Sequence, residues 1–462
     1  MTVNAHSHNP LPGRGEYLIR GGHVLTMDAA LGELPVGDVH VRDGVIVAVG
    51  TDLQAPAAEL IEGRDMIVLP GFVDTHWHLW NSGLRAMVRG DDALQGYFPV
   101  TLRVGPLFTP QDSYCAVRLG LLEGLASGIT TVHNWSHNTR SAAHADAELR
   151  AMRDMGVRGR FSYGWGQEQA LDQPMDLTDL ARLQAQGLDG DGLLSLGAAV
   201  RTPVANPRGA VPIEVVRAEL AGIRRLGLPI SMHARPGLVS VLEQHDLLGP
   251  DLQLVHPQGL SGAECCLLAD KGTTMSCSPV IEMHYAQASR GVIQFQELQE
   301  ARVQQSLSVD SSAASANADF FSCMRALLWS HKQRFGSSVP LPPKRLLELA
   351  TIDGARGLGL AGITGSLTPG KRADLILVRS TDPNMAPVLD PAHALVYSAQ
   401  PANVDTVMVD GRLLIRRGHP LVHDSVEIVA AATVSVQQLR ARDGGPNVTQ
   451  QTEQQAAQQA AH

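Results

Sequence analysis

The middle of this 462-residue chain alternates short apolar runs with longer amphipathic stretches, and eight such runs end near His78, Asn134, Tyr163, Val200, His233, His256, Ser278 and Asp310. The runs are strand-like in length and composition, and Gly or Pro commonly bounds them. The stretches between them are long enough for helices. Strand and helix in strict alternation predict parallel strands, because parallel neighbours need a crossover between them. Eight such units predict a (β/α)8 barrel, a TIM-like α/β fold, and this chain is long enough to add a smaller unit to it.

In such barrels the chemistry sits at the C-terminal ends of the strands. The run Leu69-Pro70-Gly71-Phe72-Val73-Asp74-Thr75-His76-Trp77-His78 delivers two histidines one residue apart. Side chains alternate along a strand, so His76 and His78 project together while Trp77 faces the barrel–helix core. Later runs end in His233, His256 and Asp310. Histidine and aspartate suit zinc, iron(II), manganese or cobalt, and no cysteine sits among them.

These residues resemble the amidohydrolase superfamily, and within it the branch of aminohydrolases and chlorohydrolases that holds one metal ion, with its S-adenosylhomocysteine, guanine and triazine enzymes. The likeness runs from about Tyr17 to about Val426. It includes Gly128-Ile129-Thr130-Thr131-Val132, Cys277-Ser278-Pro279, Asp310-Ser311-Ser312-Ala313-Ala314-Ser315, Leu349-Ala350-Thr351-Ile352-Asp353-Gly354-Ala355-Arg356 and Gly365-Ser366-Leu367-Thr368-Pro369-Gly370-Lys371-Arg372-Ala373-Asp374-Leu375. The resemblance implies a metal-dependent hydrolase of carbon–nitrogen bonds other than peptide bonds, acting on a small cyclic or aromatic molecule. It implies His76, His78, His233 and Asp310 as metal ligands. Asp310 would also accept a proton from water, and His256 would lie just outside the ligands, orienting the water or polarising the bond under attack. The strand-4 end reads Gly197-Ala198-Ala199-Val200-Arg201-Thr202-Pro203, without the lysine of binuclear relatives, so one divalent ion is expected. Zinc is the first choice, with Fe2+ and Mn2+ as alternatives.

The chain departs from the branch at one position. Its deaminases carry Glu three residues after the strand-5 histidine, and that Glu shuttles a proton to the leaving nitrogen. Here the stretch is His233-Ala234-Arg235-Pro236, and proline transfers no proton. The loss of one general acid/base is worth ~10²–10⁴-fold in rate. Glu282 and His284 after strand 7, and His133 and His137 after strand 2, are candidates to replace it, with His284 the first choice. Arg201 and Arg235 are candidates to grip a substrate anion, or equally to form structural ion pairs. Trp80 and Trp135 are candidates for an aromatic wall, and Glu282 for a substrate contact. Because of Pro236, a metal-dependent enzyme that does not deaminate (a dehalogenase, decarboxylase, lyase or isomerase) is the alternative reading. A binding protein that kept only the fold is a third, disfavoured by the intact ligand set.

Strand-like alternation with Gly turns over residues 17–26 and 38–50 returns over 373–378 and 404–415. The resemblance implies that both flanks form one small β-sandwich, which is physically sensible because short strands cannot bury their apolar faces separately. The expected organisation is a flexible arm over 1–13, sandwich over 14–68, barrel over 69–363, sandwich over 364–435 and a disordered Gln/Ala-rich tail over 436–462. A net charge of −9 leaves no basic footprint for nucleic acid or an anionic membrane. No apolar run suits a signal peptide or a membrane span, and five scattered cysteines read as reduced thiols. A cytoplasmic enzyme is expected, acting on a small-molecule substrate; a homodimer is left open.

Overall fold

The computed structural model describes residues 11–188, 190–206, 209–286 and 291–444. Strands β1 (Glu16–Leu25), β2 (Glu33–Arg42), β3 (Val45–Gly50), β4 (Glu59–Glu62) and β5 (Met66–Pro70) come first. The barrel strands follow as β6 (Phe72–Trp77), β7 (Ile129–Ser136), β8 (Arg158–Tyr163), β9 (Leu194–Val200), β10 (Ile230–His233), β11 (Leu252–Val255), β12 (Thr274–Cys277) and β13 (Gln305–Leu307). They pair in sequence order, all parallel, with helices in the crossovers. A bridge between Trp77 and Asp310 joins the last strand end to the first. This is the expected (β/α)8 barrel.

The chain flanks share one mixed sheet, in the order β17-β16-β15-β14-β5-β1-β2-β3, with β4 on β1. Its later strands are β14 (Leu375–Arg379), β15 (Val404–Val409), β16 (Arg412–Arg416) and β17 (His419–Pro420). The two-residue period of β14 sends Leu375 and Leu377 into the core of this unit and Ile376 and Val378 into the barrel core. One strand therefore cements two cores. Arg158, at the foot of β8, adds a buried ionic clamp to Asp374 (2.6 Å) and Asp410 (3.2 Å).

Two expectations change here. The run from Leu69 to His78 is not one strand. Leu69 and Pro70 pair with Ile376 and Leu375 in the flanking sheet, and the chain turns into the barrel at Gly71. A Cβ there would sit 2.2 Å from the Thr130 side chain, so glycine is required at this corner. The tail expected from residue 436 is also helical as far as Arg442, within Ser425–Arg442. Asp424 caps that helix, and Ser435 and Arg442 both reach Asp112 in the helix Pro110–Ala126. These anchors outweigh the polar composition that suggested disorder. Residues 445–462 of the expected tail, and 1–10 of the expected arm, lie outside the described residues.

Candidate metal centre

The strand ends converge at the barrel mouth. His76 Nε2 lies 3.2 Å from His233 Nε2 and 3.6 Å from Asp310 Oδ1. His78 Nε2 is 3.2 Å from the same carboxylate oxygen. Ligand atoms ~2.1 Å from a tetrahedral ion stand about 3.4 Å apart, so this spacing matches a shared divalent cation. The chemistry of the group matches too. Burial first, then the neighbouring His78, lowers the His76 pKa to about 3, and burial with His76 pushes His233 well below its ordinary value. Both imidazoles are neutral at physiological pH, and a cation between them would take the lone pair that each Nε2 can offer. Burial pushes the Asp310 carboxyl up, but the adjacent His76 and His78 imidazoles outweigh it and hold the group well below the usual carboxylate range.

Supporting contacts fix these side chains. His78 donates from Nδ1 to the Trp135 carbonyl at 3.1 Å, which leaves Nε2 as the ligating atom. Asp74 accepts from the backbone N–H of His76 (2.9 Å) and of Val309 (3.0 Å), tying both ligand-bearing segments together. His256 and Asp310 both adopt left-handed backbone conformations, φ 75° and 68°. Such strain costs ~1–3 kcal/mol per residue and concentrates at functional sites.

Above these residues opens a cavity of about 230 Å³. His78, His233, His256 and Asp310 form its floor, and Tyr97, Phe98, Trp165 and Ile281 bring aromatic and apolar surface to its walls. Gln167, Thr202 and Arg235 supply polar groups. An apolar pocket with a few convergent polar groups is the usual form of a small-molecule site. Sequence reading missed Tyr97, Phe98, Trp165 and Gln167, which lie in the crossovers after β6 and β8 and carry no periodic signal.

Several expected site residues sit elsewhere. His284 is exposed and is not among the cavity-lining residues, because the turn after β12 points it outward. His133 is buried, donating to the Thr75 carbonyl (2.8 Å) and paired with Ser162 (2.7 Å), and is structural. Glu282 is buried rather than facing substrate, and lies 3.1 Å from His256 Nδ1. Trp80 and Trp135 are fully buried and do not line the cavity. Trp135 instead packs behind His76, His78 and His233, at ring separations of 5.3, 5.1 and 4.3 Å. Trp80 donates to His137 Nδ1 at 3.1 Å, which directs the Nε2–H of a neutral His137, itself a lining residue, away from the indole. Arg201 lines the cavity, but its terminal nitrogens are held by the carbonyls of Ala170 and Gln173 and by Glu219 (3.2 Å), so it is a structural ion pair.

The barrel and its histidine–aspartate centre define a metal-dependent hydrolase. The chain belongs to the amidohydrolase family, whose pattern matches residues 67–414, and it acts on carbon–nitrogen bonds. It is 28% identical to a 5'-deoxyadenosine deaminase of Methanosarcina mazei over 92% of this chain and 99% of that protein. It is also 28% identical to a 5-methylthioadenosine/S-adenosylhomocysteine deaminase of Pelotomaculum thermopropionicum, over 90% and 96% of the two chains. Among solved structures, a zinc-bound adenosine deaminase from Xanthomonas campestris superposes with a TM-score of 0.79 at 23% identity, covering 93% of this chain and all (100%) of that one. An atrazine chlorohydrolase from Arthrobacter aurescens, complexed with zinc, gives 0.80 at 23% identity over 91% and 100%.

Proposed function

We propose that this enzyme removes an amino group hydrolytically from a small, flat, purine-like heterocycle, using one zinc ion held by His76, His78, His233 and Asp310. The observation that carries the reading is the convergence of His76, His78, His233 and Asp310 at the base of an apolar cavity that His78, His233 and Asp310 line. A divalent metal at such a site acts as a Lewis acid and lowers the pKa of a coordinated water towards ~7.

The chain's own residues do the rest. Asp310 Oδ2, 3.6 Å from His256 Nε2, accepts a proton from the attacking water. His256 orients that water against the carbon under attack. Tyr97, Phe98 and Trp165 offer faces for a planar ring and exclude bulk water. His137 lines the same cavity, with its Nδ1 held by the Trp80 indole.

The relatives named as nucleoside deaminases support a purine-like substrate. Pro236 supports the second reading, in which another leaving group departs. The test is a screen of amino-substituted purines, pyrimidines and triazines in heavy-oxygen water with the zinc-loaded protein. Release of ammonia with one solvent oxygen in the product is expected. Turnover without solvent oxygen, or with loss of chloride or carbon dioxide, would put the second reading first.

A further inference from the structure

The aromatic wall of the cavity begins at a helix end with little to hold it locally. Helix Tyr97–Val104 contributes Tyr97, Phe98, Thr101 and Leu102 to the lining. Its N-cap is Gly96, which makes no side-chain hydrogen bond to the first turn, and that turn holds no acidic residue. A helix start of this kind leaves backbone N–H groups unsatisfied and frays. Phe98 and Pro99 are exposed, as are residues 89–91 of the segment that leads into the helix. Full burial begins only at Val100, which packs in one apolar cluster with Val104, Trp80, Leu84 and Ala313.

A buried amide spans from this first turn to the metal centre. Asn81 is fully buried, three residues after His78 in the short helical turn Leu79–Ala86. Its backbone N–H donates to the His78 carbonyl at 3.2 Å. Its side-chain Oδ1 accepts from Ser311 Oγ at 2.9 Å, and its Nδ2 donates to the Tyr97 hydroxyl at 2.9 Å. Ser311 directly follows Asp310 and lines the cavity itself. A buried amide is costly unless both of its ends are paired, and here both are. Both flanking hydroxyls can donate or accept, so either orientation of the amide makes the same bridge. Tyr97 is thereby tied to the two segments that carry His78 and Asp310.

We propose that Asn81 is a positioning residue for substrate: through Tyr97 it fixes the first turn of the helix, and with it the aromatic wall, against the strand ends that carry the metal ligands. The inference rests on the hydrolytic reading above. A planar ring then meets a wall already in place, and binding does not have to order the first turn. Asn81 takes part in no bond that forms or breaks, so its effect lies in substrate affinity and not in the chemical step.

The test uses the zinc-loaded full chain and an amino-substituted purine, pyrimidine or triazine that the screen above shows to be turned over. Asn81→Leu keeps the volume and removes both contacts; Tyr97→Phe removes one partner and leaves the buried amide in place. Each is expected to raise KM by ~5–30-fold, the range of one or two hydrogen bonds, with kcat within about twofold and zinc content unchanged. In the Asn81→Leu background, Tyr97→Phe is expected to add less than about twofold, because the contact is already gone. A lower thermal midpoint and zinc content with KM in place would assign Asn81 to folding alone and overturn the proposal. The second readout needs no substrate. Amide hydrogen exchange over residues 100–104 is expected to quicken by ~5–30-fold in both single variants, while the barrel strands keep wild-type rates. Wild-type KM in both single variants, fully additive losses in the double variant, or wild-type exchange over 100–104 would each overturn the proposal. If no compound is turned over while exchange quickens as expected, the hydrolytic reading fails and the tether from Asn81 to Tyr97 stands.

Discussion

His78 and Asp310 meet twice. The His78 backbone N–H donates to the Asp310 carbonyl at 2.7 Å, and the His78 imidazole Nε2 stands 3.2 Å from the Asp310 carboxylate. The first contact, with the Asp310 N–H donating to the His76 carbonyl at 2.9 Å, joins the last barrel strand end to the first. The ligand geometry is therefore set by the same backbone pairing that helps close the barrel, and the side chains themselves contribute little to that closure.

Substituting ligand side chains is accordingly expected to empty the metal site while leaving the barrel intact. His76→Ala and Asp310→Asn should lose zinc on gel filtration and lose more than about 100-fold in turnover, since even a supporting hydrogen bond is worth ~10–100-fold. Elemental analysis with circular dichroism checks this. A variant that keeps stoichiometric zinc would remove that residue from the ligand set.

Arg201 is expected to matter for folding. It and Glu219 are both buried, and the pair spans the strand end and the helix Ile213–Arg225. Removing one partner of a buried pair strands the other charge, typically at ~3–5 kcal/mol. Arg201→Met should lower the thermal midpoint markedly, and Glu219→Gln in that background should recover part of the loss. Thermal unfolding of the two variants decides it; equal midpoints for wild type and Arg201→Met would return the arginine to the list of substrate contacts.

The convergence of the histidine–aspartate cluster was legible because each of its residues lies at or near the end of an apolar run, and barrel topology brings all such ends to one face. His76, His78, His233, His256 and Asp310 could therefore be picked out one strand at a time. The break at Gly71 was not legible, since Leu69 and Phe72 are equally apolar and only their partners, Ile376 in one sheet and the Gly128 carbonyl beside the other, separate them. Side-chain direction beyond the strand ends was also hidden. Glu282 and His284 stand two residues apart in one turn, yet one is buried against His256 and the other faces outward. Anion clamp and structural ion pair stayed equal readings of Arg201 because its partners, the carbonyls of Ala170 and Gln173, come from a distant loop without a sequence signal.

The barrel interior beneath the metal centre holds a hydroxyl cluster. Thr75 Oγ1 lies 2.8 Å from both Ser276 Oγ and Ser306 Oγ and donates to the Leu307 carbonyl at 2.9 Å. Thr75→Val keeps the shape and leaves these buried groups short of a partner, at ~1–3 kcal/mol. Urea unfolding should show that loss with the zinc content unchanged. A loss below about 0.5 kcal/mol would mean that the serines satisfy one another without the threonine.

Glu148 gives the fold a pH dependence separate from the metal centre. It is fully buried behind β7, where Asn134 and Ser136 each donate to it at 2.9 Å. Burial outweighs these two bonds and raises its pKa from 4.5 to about 7. Between those two values the unfolded chain has lost the proton that the folded chain keeps. Stability from this group therefore falls as pH rises from about 4.5 through about 7 and levels off above, by ~3 kcal/mol at most. Glu148→Gln removes the titration. Urea unfolding of both proteins at pH 5 and pH 8 should show the difference between them moving in the variant's favour at the higher pH. A pH-independent difference would mean that Asn134 and Ser136 stabilise the carboxylate fully and that Glu148 stays ionised across this range.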